Sequence, residues 1–131
     1  MKLTALVAAG FAVLAAPALA LADDHISGDA ANGEKVFRKC QACHQVGAEA
    51  KSKSGPILNG IIDRQAGINE DFKYSKVMIA AGEEGLVWSV ENLDEYLANP
   101  RKFMKGTRMS FAGLRKDSDR ADLIAYLAGF Q

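Results

Sequence analysis

Residues 40 to 44 read Cys-Gln-Ala-Cys-His, and they hold both cysteines of a 131-residue chain together with one of its two histidines. Two thiols three positions apart, with an imidazole directly behind the second, form one compact donor set, and the rest of the chain must fold around whatever that set holds. The other histidine, His25, lies near the amino end, and no further cysteine exists to make a second pair. A structural zinc site takes four ligands, often as two pairs, so half its donors are missing here. A thioredoxin-type redox pair wants a strand-helix-strand setting. A plain disulfide suits an exported protein but leaves the neighbouring imidazole without a task.

Export itself is written at the start. Residues 1 to 22, MKLTALVAAGFAVLAAPALALA, place Lys2 before an Ala/Leu/Val run closed by small residues, which is the pattern of a secretory signal peptide. Ala18-Leu19-Ala20 and Ala20-Leu21-Ala22 both satisfy the small-x-small rule, and Asp23-Asp24 beyond the second favour cleavage after Ala22. A retained membrane anchor is the competing reading, but the run is short for a span and Pro17 sits near its end. The expectation is a periplasmic protein of residues 23–131, one domain in size, with no membrane insertion. Lys plus Arg and Asp plus Glu both number 16, with no long block of one sign, so nucleic acid is not an expected partner.

The remaining text reads as helices joined by unusually long loops. Asp29 can cap a helix running to about Lys39, with Val36, Phe37 and Cys40 recurring on one side, so the cysteine pair falls at a helix end. From Gln45 to Asn69 the chain is rich in Gly, Ser and Lys with little periodicity and reads as an irregular loop. A short helix is expected over Ser75 to Ala81, stopped by Gly82, and a clearer one from an N-cap at Ser89 through Leu93, Tyr96 and Leu97 until Asn99-Pro100. RKFMKGTRMSFAGLRK reads as a second irregular segment. The last helix, capped by Asp117, Ser118 or Asp119, carries Leu123, Ile124, Tyr126, Leu127 and Phe130 on a wide apolar face. No alternating strand pattern and no internal repeat is seen, so the fold class is all-α. Long loops inside a small domain are uncommon and usually functional. Helix packing alone is too sparse to order such a chain, so something else is expected to fill its middle.

Cys-x-x-Cys-His is the sequence by which a c-type haem is attached. The two thiols of Cys40 and Cys43 add across the porphyrin vinyl groups, and His44 is then placed to ligate the iron from one face. The second face decides between carrying electrons and binding gases or peroxides, and a thioether there closes the iron and raises its potential. Beyond the leader the methionines are Met78, Met104 and Met109. Met109 has the best setting, in the second loop between Gly106-Thr107 and Ser110-Phe111-Ala112-Gly113, with Met104 as its rival.

NPRKFMKGTRMSFAGLRK followed by DRADLIAYL resembles the Met-loop and last helix of class I cytochromes c, particularly the bacterial cytochrome c2 and mitochondrial group, and the likeness extends from about Gly33 to Leu127. The resemblance implies crossed N- and C-terminal helices, with Gly33 and Phe37 against Leu123 and Tyr126, plus shorter helices and long loops wrapping one covalently bound haem c. It implies Met109 as the distal ligand and Met104 as packing. It implies that the Pro56 carbonyl, in SGPILNG, accepts a hydrogen bond from His44. Arg64, Tyr74 and Trp88 match positions that reach a buried haem propionate, Thr107 one that also reaches a propionate, and Tyr96 one near the methionine sulfur. Three departures point to a bacterial relative: a longer stretch between Tyr74 and Trp88, Met78 where the mitochondrial form usually has Asn, and a first helix that reaches Cys40 one residue sooner.

The function implied is that of a monomeric one-electron carrier, not an enzyme, receiving electrons from a bc1-type complex and passing them to a photosynthetic reaction centre or a terminal oxidase, with a denitrification reductase also possible. Lys39, Lys53, Arg101, Lys102, Lys105, Arg108, Arg115 and Lys116 flank the segments that would rim an exposed haem edge, and are expected to form a positive ring for docking. The competing reading is a haem protein with an open distal site, acting as a peroxidase or gas sensor. A protein without haem, redox-active or structural, is the other.

Overall fold

The computed structural model describes residues 26–131; the leader, its cleavage site and His25 lie outside them. The described residues form five helices: α1 (Ala30–Phe37), α2 (Lys76–Glu83), α3 (Val90–Ala98), α4 (Pro100–Phe103) and α5 (Asp117–Ala128). They contain no strand, only a single antiparallel bridge between Gln65 and Val87, so the all-α expectation holds for them.

α1 begins where the carboxylate of Asp29 accepts from the Asn32 backbone N–H at 2.9 Å, which satisfies one of the free donors of the first turn. Its buried positions, Gly33 and Phe37, face α5. A side-chain carbon on Gly33 would collide with the Asp122 carbonyl oxygen and sit 2.7 Å from the Tyr126 Cβ, so a residue with no Cβ permits the two helices to cross at contact distance. Phe37 and Tyr126 then stack with ring centres 5.4 Å apart. The backbone N–H of Asp29 donates to Asp122 at 2.7 Å, locking the start of the first helix to the last. This is the expected crossing of the terminal helices.

α5 supplies the centre of the core. Leu123, Ile124 and Leu127 are almost wholly buried, each stabilising by about 1.5–3 kcal/mol as an upper estimate. The helix begins one residue earlier than a side-chain cap would dictate. Its N-cap position is Lys116, no side chain caps it, and Asp117 stands inside the first turn with its carboxylate turned to Arg120. Asp117 and Asp119 still favour that end through the helix dipole. The helix closes at Ala128, and Phe130 lies beyond it, edge-on to Tyr126 with centres 5.0 Å apart.

Two other expectations are corrected, Gly82 as the stop of α2 and an irregular chain from Arg101 onward, where α4 instead covers Pro100–Phe103. Gly82 does not stop α2 but is buried within it, because the helix lies so close to the 65–67 segment that a Cβ there would strike the Ala66 carbonyl oxygen. The stop is Gly85, with φ +101° in the left-handed region, and Gly85 N–H to Gly82 O at 3.0 Å and Leu86 N–H to Ala81 O at 2.9 Å complete a Schellman turn. Likewise Asn99-Pro100 ends α3 but also starts α4. Asn99 adopts an extended conformation, its side chain accepts from Lys102 N–H, and Pro100 occupies the first helical position, where its missing N–H costs nothing.

Gly82→Ala is expected to destabilise by about 2 kcal/mol or more, since the added methyl must push apart two backbone segments. A denaturant midpoint unchanged from the parent would contradict the close approach.

Candidate functional site

The chain leaves α1 through a tight turn that places Cys40, Cys43 and His44 together. Cys43 and His44 N–H both donate to the Cys40 carbonyl, at 3.0 and 2.9 Å. The two thiols are not joined to each other; Cys40 is half-buried and Cys43 exposed. Burial pushes the Cys40 thiol up to about 11, against the pull of Lys39. It is therefore a neutral thiol at neutral pH.

His44 is oriented by one bond and one surface. Its Nδ1 lies 2.7 Å from the Pro56 carbonyl oxygen, and since a carbonyl can only accept, Nδ1 carries the proton and Nε2 keeps its lone pair. Burial lowers the imidazole pKa, with the Pro56 carbonyl opposing more weakly, so the ring is held in the neutral form that a metal requires. The buried Gly55 forms the surface: a Cβ there would run into the His44 ring, 2.7 Å from Nδ1.

The loop bearing Gly55 and Pro56 is held shut by a residue the sequence does not single out. The Asn59 amide pairs with Gly47 at both ends, Oδ1 accepting its N–H at 3.0 Å and Nδ2 donating to its carbonyl at 2.9 Å. Arg64 continues the brace, donating to the carbonyls of Asn59 at 2.9 Å and Ile57 at 3.4 Å. Its own carbonyl accepts from Trp88 N–H at 2.8 Å. Tyr74 lies near enough for the Arg64 charge to pull against the burial that raises its phenol pKa. Arg64, Tyr74 and Trp88 thus form one neighbourhood, reached through Asn59 and Ile57 from the His44 side.

On the other side, Trp88 packs on Tyr96 with ring centres 4.9 Å apart, and Phe103 lies edge-on to Tyr96 at 5.7 Å. The Tyr96 hydroxyl and the Thr107 hydroxyl are 2.9 Å apart, and Thr107 Oγ1 also accepts from Met109 N–H at 3.3 Å. Tyr96, Thr107 and Met109 are therefore one bonded group. The two candidate methionines part company here: Met104 is 7% exposed and belongs to the core, whereas Met109 is half-buried at the core's margin.

The donor set tests what could be held. Among the described residues no group of three or more His, Cys, Asp or Glu side chains could hold a bare metal ion. An ion served by His44 and a thioether must bring its remaining donors with it. Half-buried Val46, Leu58, Val77, Met78 and Phe111 border the core as an apolar margin suited to a flat macrocycle, and two unjoined thiols stand ready to attach one. A c-type haem fits these residues. Arg120, the one buried charged residue among those described, was not indicated by the sequence, because nothing in its local pattern sets it apart from a surface arginine.

Residues 30–131 match the family model described as Cytochrome c. Over 100 residues the chain is 51% identical to cytochrome c2 of Afifella marina, covering 76% of this chain and 81% of that protein. It is also 51% identical to cytochrome c-550 of Ancylobacter novellus, covering 76% of this chain and 94% of that protein. The solved structure of cytochrome c2 from Rhodospirillum centenum superposes with a TM-score of 0.73 at 48% identity, covering 79% of this chain and 98% of that one.

Tyr74, Tyr96 and Tyr126 all have phenol pKa values raised above 10, first by burial in each case. A raised acid contributes stability that is whole below the unfolded value and is lost as pH climbs through the folded one. Phenolate absorbance of the folded protein is expected to lag that of the denatured protein above pH ~10, with unfolding free energy declining over the same range. Superimposable titrations would contradict the burial of these rings.

Proposed function

The chain belongs to the cytochrome c family, and from that membership we propose that it is a periplasmic one-electron carrier in which His44 and Met109 would hold the haem iron. Members of this family are electron carriers, not enzymes, and the domain has the class I cytochrome c fold with one covalently attached c-type haem. That group supplies a single electron by the change between ferrous and ferric iron.

The residues of this chain do the rest. Cys40 and Cys43 attach the macrocycle. The Pro56 carbonyl turns the Nε2 lone pair of His44 toward the site and raises its basicity. Tyr96 and Thr107 hold the Met109 backbone N–H, from which the thioether would reach a bound iron. His44 is held through its ring and Met109 through its backbone, so the two would hold a bound iron alike in either oxidation state, with little reorganisation on transfer. Arg64, Tyr74, Trp88 and Thr107 are assigned to the propionates. The apolar margin excludes water and favours the less charged state, which raises the potential. The observation that carries the reading is the His44–Pro56 bond, because it leaves Nε2 free and unprotonated beside two unjoined thiols.

Cys43 is exposed, so this margin faces the partner. All eight basic residues of the proposed ring are exposed. Lys53 Nζ donates to the Gln41 carbonyl at 3.0 Å, which pins a positive charge over the Cys40–Cys43 turn. Lys39 lies 3.9 Å from Asp119 and is partly offset. The proposed donor is a bc1-type complex and the acceptor a reaction centre or terminal oxidase, in complexes burying less than about 1,200 Å².

In the ferric protein a near-red absorption band from the thioether–iron bond is expected, abolished by Met109→Ala and kept by Met104→Leu, with the chromophore remaining on the chain after denaturation. Colourless protein from cells able to attach haem, or an unaltered spectrum in Met109→Ala, would sink the assignment.

Association rates with an acidic redox partner are expected to fall as ionic strength rises, because the exposed ring is screened beyond about 8–10 Å. Stopped-flow rates that are flat from low to high salt would remove the ring from the account.

A further inference from the structure

The segment from Thr107 to Lys116 contains no helix, yet it must hold the Met109 sulfur at one place. Its front end is tied by the Tyr96–Thr107 bond. Its far end is tied in two ways. Leu114 N–H donates to the Leu97 carbonyl at 2.8 Å, taking up a free carbonyl at the end of α3. Gly113, with φ +104°, lies so close to α3 that a Cβ would strike the Ala98 carbonyl oxygen. The Leu114 carbonyl, which points the other way, is met by Arg120.

Arg120 sits on α5 and is 8% exposed. Its Nη1 donates to the Leu114 carbonyl at 2.8 Å and the Arg115 carbonyl at 3.3 Å. Nε and Nη2 form a two-point pair with Asp94 on α3, at 2.7 and 3.3 Å, and Nη2 reaches Asp117 at 2.6 Å. The Asp117 side chain is 93% exposed, so that pair is screened and contributes little. Asp94 is the partner that offsets burial of the guanidinium charge and fixes the plane of its fork. A buried cation with its donors on two consecutive loop carbonyls is an anchor. The same charge placed only for α3–α5 packing would need Asp94 alone.

We propose that Arg120, oriented by Asp94, is a positioning residue for the distal ligand: it clamps the far end of the Met109 segment to α3 and α5 and so sets how often the Met109 sulfur leaves its place. The inference rests on Met109 being the distal ligand. A segment anchored at Thr107 and at Leu114 leaves Met109 six intervening positions in which to move, and without Arg120 the far anchor is reduced to the Leu114–Leu97 bond and the approach of Gly113 to α3.

The test uses the ferric holoprotein with imidazole as a competing ligand. Arg120→Lys keeps the charge but cannot reach Asp94 and both carbonyls at once; Asp94→Asn keeps Arg120 and removes the charge that orients it. Phe37→Leu, which thins the α1–α5 contact away from this segment, serves as a control of comparable denaturant midpoint. Imidazole is expected to bind the Arg120 and Asp94 variants about tenfold more tightly, with faster exchange of the Leu114 amide in the ferrous protein, while Phe37→Leu leaves both near the parent values. If imidazole affinity tracks global stability across all three variants, or if Asp94→Asn leaves it unchanged, Arg120 is a packing residue and the proposal is overturned. Should Arg120→Lys not fold, Asp94→Asn decides alone. Failure of the Met109 assignment is distinguishable, because the parent protein would then lack the near-red band, whereas failure of the clamp leaves that band present and indifferent to Asp94.

Discussion

An imidazole presents one nitrogen in a fixed direction when the other is held, and on His44 the holding is done by a single carbonyl, that of Pro56. Most of the first half of the domain exists to bring that carbonyl to Nδ1. Gly55 must have no side chain because the ring lies against it, and Gly55 N–H in turn donates to the Cys43 carbonyl at 3.0 Å. Asn59 closes the loop onto Gly47, and Arg64 braces Asn59. Each step replaces water on a backbone group with a protein partner, so the loop is irregular in shape but fixed at these points. Among the described residues one buried side-chain oxygen, Ser52 Oγ, stands without a protein partner, and it lies inside this same loop.

The second half solves the opposite problem by other means. A thioether has no donor of its own by which to be oriented, so Met109 is placed through its backbone, by Thr107 and Tyr96 at one end and by α3 and Arg120 at the other. The His44 loop is thus held by bonds that reach twelve residues along the chain, and the Met109 segment by bonds of similar or shorter reach, to Tyr96 on α3 and to Arg120 on α5. Tyr96, Leu97 and Leu114 are core residues while Met109 stays at the margin.

The sequence made the chemistry legible because the five residues from Cys40 to His44 are contiguous, and it made the caps at Asp29 and Ser89 legible because capping acts over three positions. What it concealed depends on distance. Gly82 looks like a helix stop in one dimension; only the Ala66 backbone against it explains why a glycine belongs inside the helix. Asn99-Pro100 reads as a terminator, and the cap it offers to the next helix is visible only once Asn99 is extended. Asp117 has the right chemistry for a cap but stands inside the first turn with its carboxylate on Arg120, which itself carries no local mark of burial. Asn59 and its twelve-residue reach to Gly47 were hidden for the same reason. The propionate assignments of Arg64, Tyr74, Trp88 and Thr107 came from resemblance, and the structure gathers the first three into one neighbourhood while setting Thr107 beside Met109.

The crossing of α1 and α5 joins positions 93 residues apart, Asp29 to Asp122. Closing so wide a circuit is entropically slow. A ribosomal product cut short before Leu123 would therefore retain the entire cysteine-histidine turn yet have nothing for its supporting helix to lean on.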